Sequence, residues 1–383
     1  MDGLSSAAKA ALEAAEVVAG SPRHLALLPD LACQRLEWPV PFADGVPALL
    51  QLRGRRVVLL ASGNPFWFGA GSSVVRQLAA GEWQVFAAPS SFGLAAARLG
   101  WPLERVTCLG LHAAALSRLR PHLARGARLL VLLRDGAAVA ELARYLAELG
   151  FDDSTLHVLE ALGGPRERRR SVVARHYALD DVRHPVTVGL EPAGQGAWLP
   201  RSCGLDDAHF LHDGQITKQH VRALALCALA PRPGELLWDI GAGSGSVAIE
   251  WLLAHASCEA IAIESEPARA QRIQQNASRL GVDRLRLVTG LAPQALAGLA
   301  APDAVFIGGG LSEDLLQALW PVLPAGCRLV AHAVTLESEA LLAAWQARAG
   351  GRLLRVELAQ AGALGSRRAW RATYPIVQWS TLR

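Results

Sequence analysis

The stretch ELLWDIGAGSGSVAIEWL, Glu235–Leu252, constrains the fold of this chain more than any other part. An apolar run leads into three glycines within five residues, and the apolar spacing of a helix follows directly. A strand, a glycine turn and a helix in succession allow a ligand to approach backbone N–H groups at the positive end of the helix. The stretch therefore predicts a doubly wound α/β sheet with a ligand site at this turn.

Strand-like and helical patterns alternate regularly after position 205. The predicted strands are 236–240, 260–264, 285–288, 304–307 and 328–333, and the predicted helices are 218–229, 246–254, 267–280 and 313–319. The apolar runs 353–358 and 374–379 predict two further strands with no helix between them. This half is expected to form one doubly wound sheet.

The first half shows the same alternation of strand-like and helical patterns, with weaker periodicity. Its predicted strands are 57–61, 84–87, 129–133 and 156–160, with helices at 72–80 and 136–150. Segment 189–204 combines glycine, proline and polar residues without periodicity, which is typical of a linker. Since 383 residues exceed the size of one ordinary core, we expect two domains, 1–188 and 205–383.

Composition limits the classes of partner. The net charge of +4 is spread along the chain, so it does not favour nucleic acid and fits an anionic small substrate equally well. The six cysteines form no CxxC pair, which favours neither a disulfide framework nor a metal site. No apolar run reaches the about 18 residues of a membrane span, and residues 1–18 resemble an amphipathic helix rather than a signal peptide. A cytoplasmic protein is expected.

The spacing of the glycines helps to choose the ligand. A dinucleotide fingerprint requires G-x-G-x-x-G, whereas this loop has G-x-G-x-G after Asp239. Glu264 ends the next predicted strand, where a carboxylate can accept both ribose hydroxyls. The loop resembles that of class I methyltransferases, which have a Rossmann-like sheet. This favours S-adenosylmethionine, with a dinucleotide as the alternative.

Longer motifs in both halves resemble one family. Asp213–Leu226, Val288–Leu296 and Asp303–Gly310 resemble the cobalamin-pathway methyltransferase that methylates carbon 15 of a precorrin and decarboxylates the acetate on carbon 12. The motifs LASGNPFWFGAG, PSSFGLAAARLGWPL and EALGGPRERRR resemble tetrapyrrole methylases that act on carbon 5. Fused in this order, the halves are similar to the decarboxylating precorrin-6Y C5,15-methyltransferase family. The resemblance implies methylation of precorrin-6Y at both carbons with loss of the acetate carboxyl, giving precorrin-8X.

The resemblance also implies which residues contact the cofactor. In the C-terminal half they are Thr217, Gly241, Ala242, Gly243, Ser244, Gly245, Glu264 and Ala292, and in the N-terminal half they are Gly63 and Asn64. Leu291 stands where the family has an acid, and Asn64 replaces an aspartate. The family has a strand and a glycine turn before GLSSAA, where this chain begins. We therefore expect an N-terminal domain that lacks its first strand and transfers weakly to carbon 5.

A precorrin carries many carboxylates, so its binding site is expected to supply cationic side chains and accessible backbone donors. The candidate substrate residues are Lys218, Arg222, Arg367, Arg368 and Arg371, with Gly308, Gly309 and Gly310 leaving space for the flat ring. The candidate proton donors are His209, His212 and His332. The alternatives are a solvated surface position for the cationic residues, a tight turn for the glycines and a structural role for the histidines. The chemistry requires no metal.

Two other functions stay open at this stage. An RNA or protein methyltransferase is one, although the fourth strand runs into Gly-Gly-Gly where amine methylases of nucleobases commonly have [DN]PP[FYW]. The other is an N-terminal half that serves only as a docking or dimerisation module. The expected partners are an anionic precorrin and further copies of the chain in a homo-oligomer, without nucleic acid or membrane.

Overall fold

The computed structural model describes residues 3–383, which divide into two compact units. The first comprises the chain through Ala114 together with Arg125–Ala197, and the second comprises Ala115–Ala124 and Trp198–Arg383. The division after Ala197 falls inside the segment predicted as a linker. No sequence pattern indicated that Ala115–Ala124 would join the second unit. Within the described residues, no helix is both long and apolar enough to cross a membrane.

The first unit contains two sheets. Its elements are α1 Ser6–Glu13, β1 Val17–Gly20, α2 Pro22–Leu25, β2 Gln34–Glu37, α3 Gly45–Leu50, β3 Val57–Leu59, α4 Gly71–Val74, α5 Ser91–Leu99, β4 Thr107–Gly110, β5 Leu129–Leu133, α6 Ala137–Glu148, β6 Thr155–Glu160, β7 Arg168–Val173 and β8 Val186–Glu191. One sheet has three parallel strands in the order β2-β1-β3. The other has the order β4-β5-β8-β6-β7 and is parallel only between β4 and β5.

Several predictions for the first unit are wrong in detail. Residues 84–87 form no strand, because no neighbouring backbone among the described residues forms a ladder with them. The predicted helix 72–80 is reduced to α4 and a single 3₁₀ turn. The helix predicted over residues 1–18 ends at Glu13, and its first two residues lie outside the described part of the chain.

The linker prediction also starts too early. Residues 189–191 are the end of β8, which pairs with β5 on one side and β6 on the other. Val188 and Leu190 are fully buried there, so the strand belongs to the core of the unit. The sequence did not indicate strand β8 because it contains Gly189, and glycine is depleted in strands.

The second unit is one doubly wound α/β layer, as predicted. Its elements are α7 Gln219–Leu229, β9 Leu236–Ile240, α8 Ser246–Ala254, β10 Glu259–Glu264, α9 Pro267–Arg279, β11 Arg286–Thr289, β12 Ala304–Ile307, α10 Glu313–Leu319, β13 Arg328–Ala333, α11 Leu336–Ala349, β14 Arg352–Val356, β15 Ala359–Leu364, β16 Arg367–Ala372 and β17 Ile376–Leu382. The sheet order is β11-β10-β9-β12-β13-β17-β14. The first five strands are parallel, and β17 runs antiparallel to both of its neighbours. Trp251 and Phe306 are buried on one face of the sheet, and Trp345 and Trp379 on the other.

The tail adds a hairpin that the sequence did not predict. Strands β15 and β16 pair only with each other and continue the β14–β17 pair beyond Val356 and Ile376. Val377 pairs with Ala333, the last residue of β13. The hairpin therefore leaves the sheet at the carboxyl edge of the parallel strands, which is where the glycine turn also lies.

Candidate functional site

The glycine loop between β9 and α8 is packed on one side and open on the other. Gly241, Gly243 and Gly245 have φ angles of 66°, 61° and 73°, a region that favours glycine. A Cβ on Gly241 would lie 2.6 Å from the Cα of Gly309, so two glycine turns touch there. A Cβ on Gly243 would meet only the carbonyl oxygen of Gln215, at 3.8 Å. The open side is where a ligand can reach the loop.

Glu264, at the end of β10, fixes the loop from the neighbouring strand. Glu264 is buried, with 4% of the residue exposed. Oε2 accepts the N–H of Gly243 at 2.7 Å, and Oε1 accepts the N–H of Glu266 at 3.0 Å. An ionised carboxylate has about four lone-pair sites, so two remain for hydroxyl donors.

Asp239 is a buried acid directly before the loop. Oδ2 accepts the N–H of Ala248 in α8 at 3.0 Å, while Oδ1 has no hydrogen-bond partner among the described residues. Burial raises the pKa of Asp239 to about 7, and the nearby charge of Glu264 contributes to that rise. A buried acceptor without a partner is costly, so it marks a position where a ligand can supply a donor.

Asn276 of α9 holds the segment before α7 against the glycine loop. Its amide nitrogen donates to the carbonyls of Leu211 and Ser244, both at 2.9 Å, and its oxygen accepts the N–H of Leu211 at 2.7 Å. Asn276 is fully buried. The segment that carries Gln215 and Thr217 is thereby held beside the glycine loop.

Four more predicted positions, Ala292 and Gly308–Gly310, lie at the same edge of the sheet. Gly290 donates its N–H to the carbonyl of Glu264 at 2.9 Å, which places the turn containing Ala292 beside the end of β10. Leu291 in that turn is 70% exposed. Gly308–Gly310 follow β12, where Gly308 donates to the carbonyl of Ile240.

Arg222 was wrongly predicted as a substrate residue. Its side chain is fully buried. It forms ion pairs with Glu250 at 2.5 Å and Asp207 at 3.1 Å, and it donates to the carbonyls of Thr217 and Leu205. Its donors are thus used inside the unit, where they tie the segment before α7 to α8. Lys218, by contrast, is exposed apart from a contact with the carbonyl of Gly214.

The three histidines differ in position. His332, near the carboxyl end of β13, lies 5.0 Å from the ring of Phe306, and its Nε2 is 2.9 Å from Oε1 of Gln378. Burial lowers the pKa of His332 and favours its neutral form. His212 accepts the N–H of Gly214. Burial also lowers the pKa of His209, and none of the charged groups that surround this ring belongs to the glycine loop.

Arg367, Arg368 and Arg371 all lie on β16, in the hairpin beyond the carboxyl edge. They are exposed, and no ion pair holds them within residues 3–383. Leu364, Trp370 and Tyr374 of the same hairpin region are 66–86% exposed.

In the first unit, the predicted loop follows β3. A Cβ on Gly63 would lie 2.9 Å from the Cα of Ser90, and Oδ1 of Asn64 accepts the N–H of Phe66 at 3.0 Å. Sequence reasoning missed a hydrogen-bonded group of Arg23, His24 and Ser62 beside this loop. Their position after two short apolar runs, VVAG and VVL, is the signal that could have found them.

Comparisons with known proteins find a related family for each half of the chain. The profile of a family described as "Precorrin methyltransferase domain" matches residues 208–383, and that of "Tetrapyrrole (Corrin/Porphyrin) Methylases" matches residues 1–177. The chain is 49% identical over 383 residues to "Precorrin-6Y C(5,15)-methyltransferase [decarboxylating]" of Sinorhizobium sp, covering 99% of this chain and 92% of that protein. The protein of the same name from Mycobacterium tuberculosis (strain CDC 1551 / Oshkosh) is 41% identical over 392 residues, covering 100% and 97%.

One similar solved structure is the C-terminal domain of precorrin-6Y C5,15-methyltransferase from Rhodobacter capsulatus. It is 54% identical in sequence, with a TM-score of 0.47. The match covers 48% of this chain and 100% of that one.

Proposed function

This chain belongs to the family of decarboxylating precorrin-6Y C(5,15)-methyltransferases, and from that premise we propose that it methylates carbons 5 and 15 of precorrin-6Y and removes the carboxyl of the carbon 12 acetate. The methyl donor is S-adenosylmethionine, whose sulfonium supplies the transferable methyl group. Methylation at carbon 15 and decarboxylation at carbon 12 are assigned to the second unit, and methylation at carbon 5 to the first unit.

The arrangement of three residues in the second unit carries the cofactor assignment. Gly243 leaves its side of the loop open, Glu264 keeps free acceptor sites, and Asp239 has a buried oxygen without a partner. A ribose offers two hydroxyl donors and an amino acid offers an ammonium group. Glu264 therefore fits the ribose hydroxyls of the cofactor, and Asp239 fits the ammonium group of its methionine end. Thr217 and Ala292 are assigned to the rim of the same site.

The substrate is assigned to the same carboxyl edge. Arg367, Arg368, Arg371 and Lys218 offer charge-assisted hydrogen bonds to ring carboxylates. Gly308 and Gly309 lie against Gly241 of the glycine loop, so a flat ring above Gly308–Gly310 is close to the cofactor site. An electron-rich ring carbon attacks the methyl group, so the main task of the protein is to align the two, which is worth several kcal/mol.

Decarboxylation moves the electrons of the broken C–C bond into the conjugated ring, which then takes up a proton. His212 is the proposed donor, because it directly follows Leu211, which Asn276 holds against the glycine loop. The lowered pKa of His332 disfavours the imidazolium form that a donor needs. In the first unit, the loop with Gly63 and Asn64 is the proposed cofactor contact.

Mass spectrometry of the product tests the function. The full chain is incubated with precorrin-6Y and S-adenosylmethionine, and the expected product carries two added methyl groups and has lost one carboxyl. One added methyl group at carbon 15 with the carboxyl lost would refute the function proposed for the first unit and leave that of the second unit standing. A product with neither change would refute the proposed function.

A further inference from the structure

Four polar side chains meet at the carboxyl edge of the three-stranded sheet. Strands β1 and β3 are adjacent and parallel, so the residues that follow them lie at the same edge. Oγ of Ser62 is 2.9 Å from Nε2 of His24, and Nη2 of Arg23 is 2.9 Å from each of these two atoms. Oγ of Ser21 is 3.2 Å from Nδ1 of His24.

The contacts determine which nitrogen of His24 carries the hydrogen. Arginine can only donate, so the approach of Arg23 to Nε2 requires that Nε2 be unprotonated. Nδ1 then carries the hydrogen and donates to Ser21. The single lone pair of Nε2 is then shared between an N–H of Arg23 and the hydroxyl of Ser62, both at 2.9 Å, so Nε2 can accept a proton through that hydroxyl when the hydrogen bond from Arg23 is released.

Burial and charge keep this imidazole neutral. His24 is half-buried, and burial together with the charge of Arg23 lowers the pKa of His24 below its usual 6.5. Arg23 is the charged group that the structure places beside the ring. Ser62 is exposed and directly precedes the predicted cofactor loop, so its hydroxyl is accessible to a substrate bound there.

The proposed reaction at carbon 5 leaves a proton to be removed. When a bridging ring carbon with one hydrogen attacks the methyl group, a C–C bond forms and the S–C bond breaks. The carbon then holds both the methyl group and the hydrogen. Loss of the hydrogen as a proton returns the C–H electron pair to the ring and restores its conjugation.

We propose that Ser62 and His24 form the proton relay for this step. The Ser62 oxygen takes the proton from the ring carbon while its own hydrogen passes to Nε2 of His24, where it replaces the hydrogen bond that Arg23 donates. The neutral serine is restored, and the imidazolium later releases its proton to water. This inference rests on the proposed function of the first unit. His24 acts through Ser62, and Ser21 holds the required tautomer.

The test compares His24→Gln and Ser62→Ala in the full chain. His112→Gln is the control, because His112 is an exposed histidine of the same unit. Precorrin-6Y is supplied with S-adenosylmethionine carrying a ¹³C methyl group, so that the NMR shifts of the product separate the two positions. We expect methylation at carbon 5 to slow by about a hundredfold or more in His24→Gln. Methylation at carbon 15 and decarboxylation should be unchanged.

Two further measurements separate a relay from a purely structural role. In the native chain the rate at carbon 5 should fall as pH drops through the pKa of His24, and this acid limb should be missing in His24→Gln. The His24 resonance, identified by its loss in that variant, should titrate below 6.5 without any ligand. Added imidazole should restore part of the rate of His24→Ala.

The outcomes are distinguishable. If the native chain adds both methyl groups and His24→Gln stays within about threefold of it with the same pH profile, the relay is wrong while the proposed function stands. If the native chain adds no methyl group at carbon 5, the function proposed for the first unit fails and the relay fails with it.

Discussion

Asp239 shows how one buried acid can make the stability of the second unit depend on pH. Its pKa is about 7 in the folded chain, against 3.8 for the unconstrained side chain. The folded state therefore holds an extra proton between these values, and the stability that this proton provides is present below pH 4 and lost as pH rises through 7. The loss is on the order of 4 kcal/mol, because each unit of pKa corresponds to about 1.4 kcal/mol.

Asp239→Asn should remove this dependence, since an amide does not ionise. Calorimetric unfolding of the native chain and the variant without cofactor, at pH 5 and pH 7.5, measures it. We expect the variant to gain stability relative to the native chain at the higher pH. An equal difference at both pH values would show that Asp239 does not titrate in this range.

Gly243 offers a matched test of the cofactor assignment. Gly243 and Gly298 have similar positive φ angles, 61° and 74°, and neither has a protein atom within 3.5 Å of a built Cβ. The backbone strain of an aspartate should therefore be similar at both. Gly243→Asp should weaken binding of S-adenosylmethionine at least tenfold by adding bulk and negative charge at the loop, whereas Gly298→Asp should not. Titration calorimetry decides, and equal affinities would remove the loop from the site.

At the scale of elements, the hairpin of β15 and β16 can be tested separately from the glycine loop. Replacing Arg367, Arg368 and Arg371 together by Gln should raise the KM for the precorrin and leave the affinity for S-adenosylmethionine unchanged, because the hairpin supplies cations and no part of the loop. Arg286→Gln, on the exposed edge strand β11, is the control. A parallel weakening of both ligands would mean that the hairpin only supports the fold.

The elements also show which parts of this fold a sequence can predict. Strands β9 and β12 were placed at their observed bounds, because strands buried on both faces appear as continuous apolar runs. Strand β15 was missed because its residues, AQAGAL, are mostly exposed and show no alternation. Helix α11 carries alanines and polar residues around its circumference and buries only Leu342 and Trp345, which leaves little amphipathic signal.

The candidate site divides in the same way. The placement of the loop, Glu264 and Gly308–Gly310 at the carboxyl ends of strands was predictable, because the fold fixes their spacing relative to the strands. Arg222 was not, since its burial depends on Glu250, 28 positions along the chain. The group around His24 depends on a contact with Ser62 at a separation of 38 positions. Long-range pairs of polar residues leave no periodic trace in a sequence.

At the scale of the whole molecule, assigning one reaction to each unit predicts two complementary products. Gly243→Asp should yield a product whose one added methyl group is at carbon 5. His24→Gln should yield one methyl group, at carbon 15, and the loss of one carboxyl. NMR of products made with a ¹³C methyl group separates the two positions. A product without any methyl group from either variant would contradict the division of the two reactions between the units.

The contact between Gly241 and Gly309 limits the substitutions that this sequence can accept at position 241. Their backbones lie so close that a methyl group on Gly241 would overlap the neighbouring turn, and no rotamer can relieve a Cβ. Relaxation would require the two turns to separate, which would disturb the floor shared by the loop after β9 and the turn after β12. Both positions can be randomised in a library, and the cells selected for growth that depends on making the pathway product themselves. We expect the surviving variants to have glycine at 241 whatever residue stands at 309. The turn after β12 therefore restricts what the turn after β9 can accept, although Gly241 and Gly309 are 68 positions apart in the sequence.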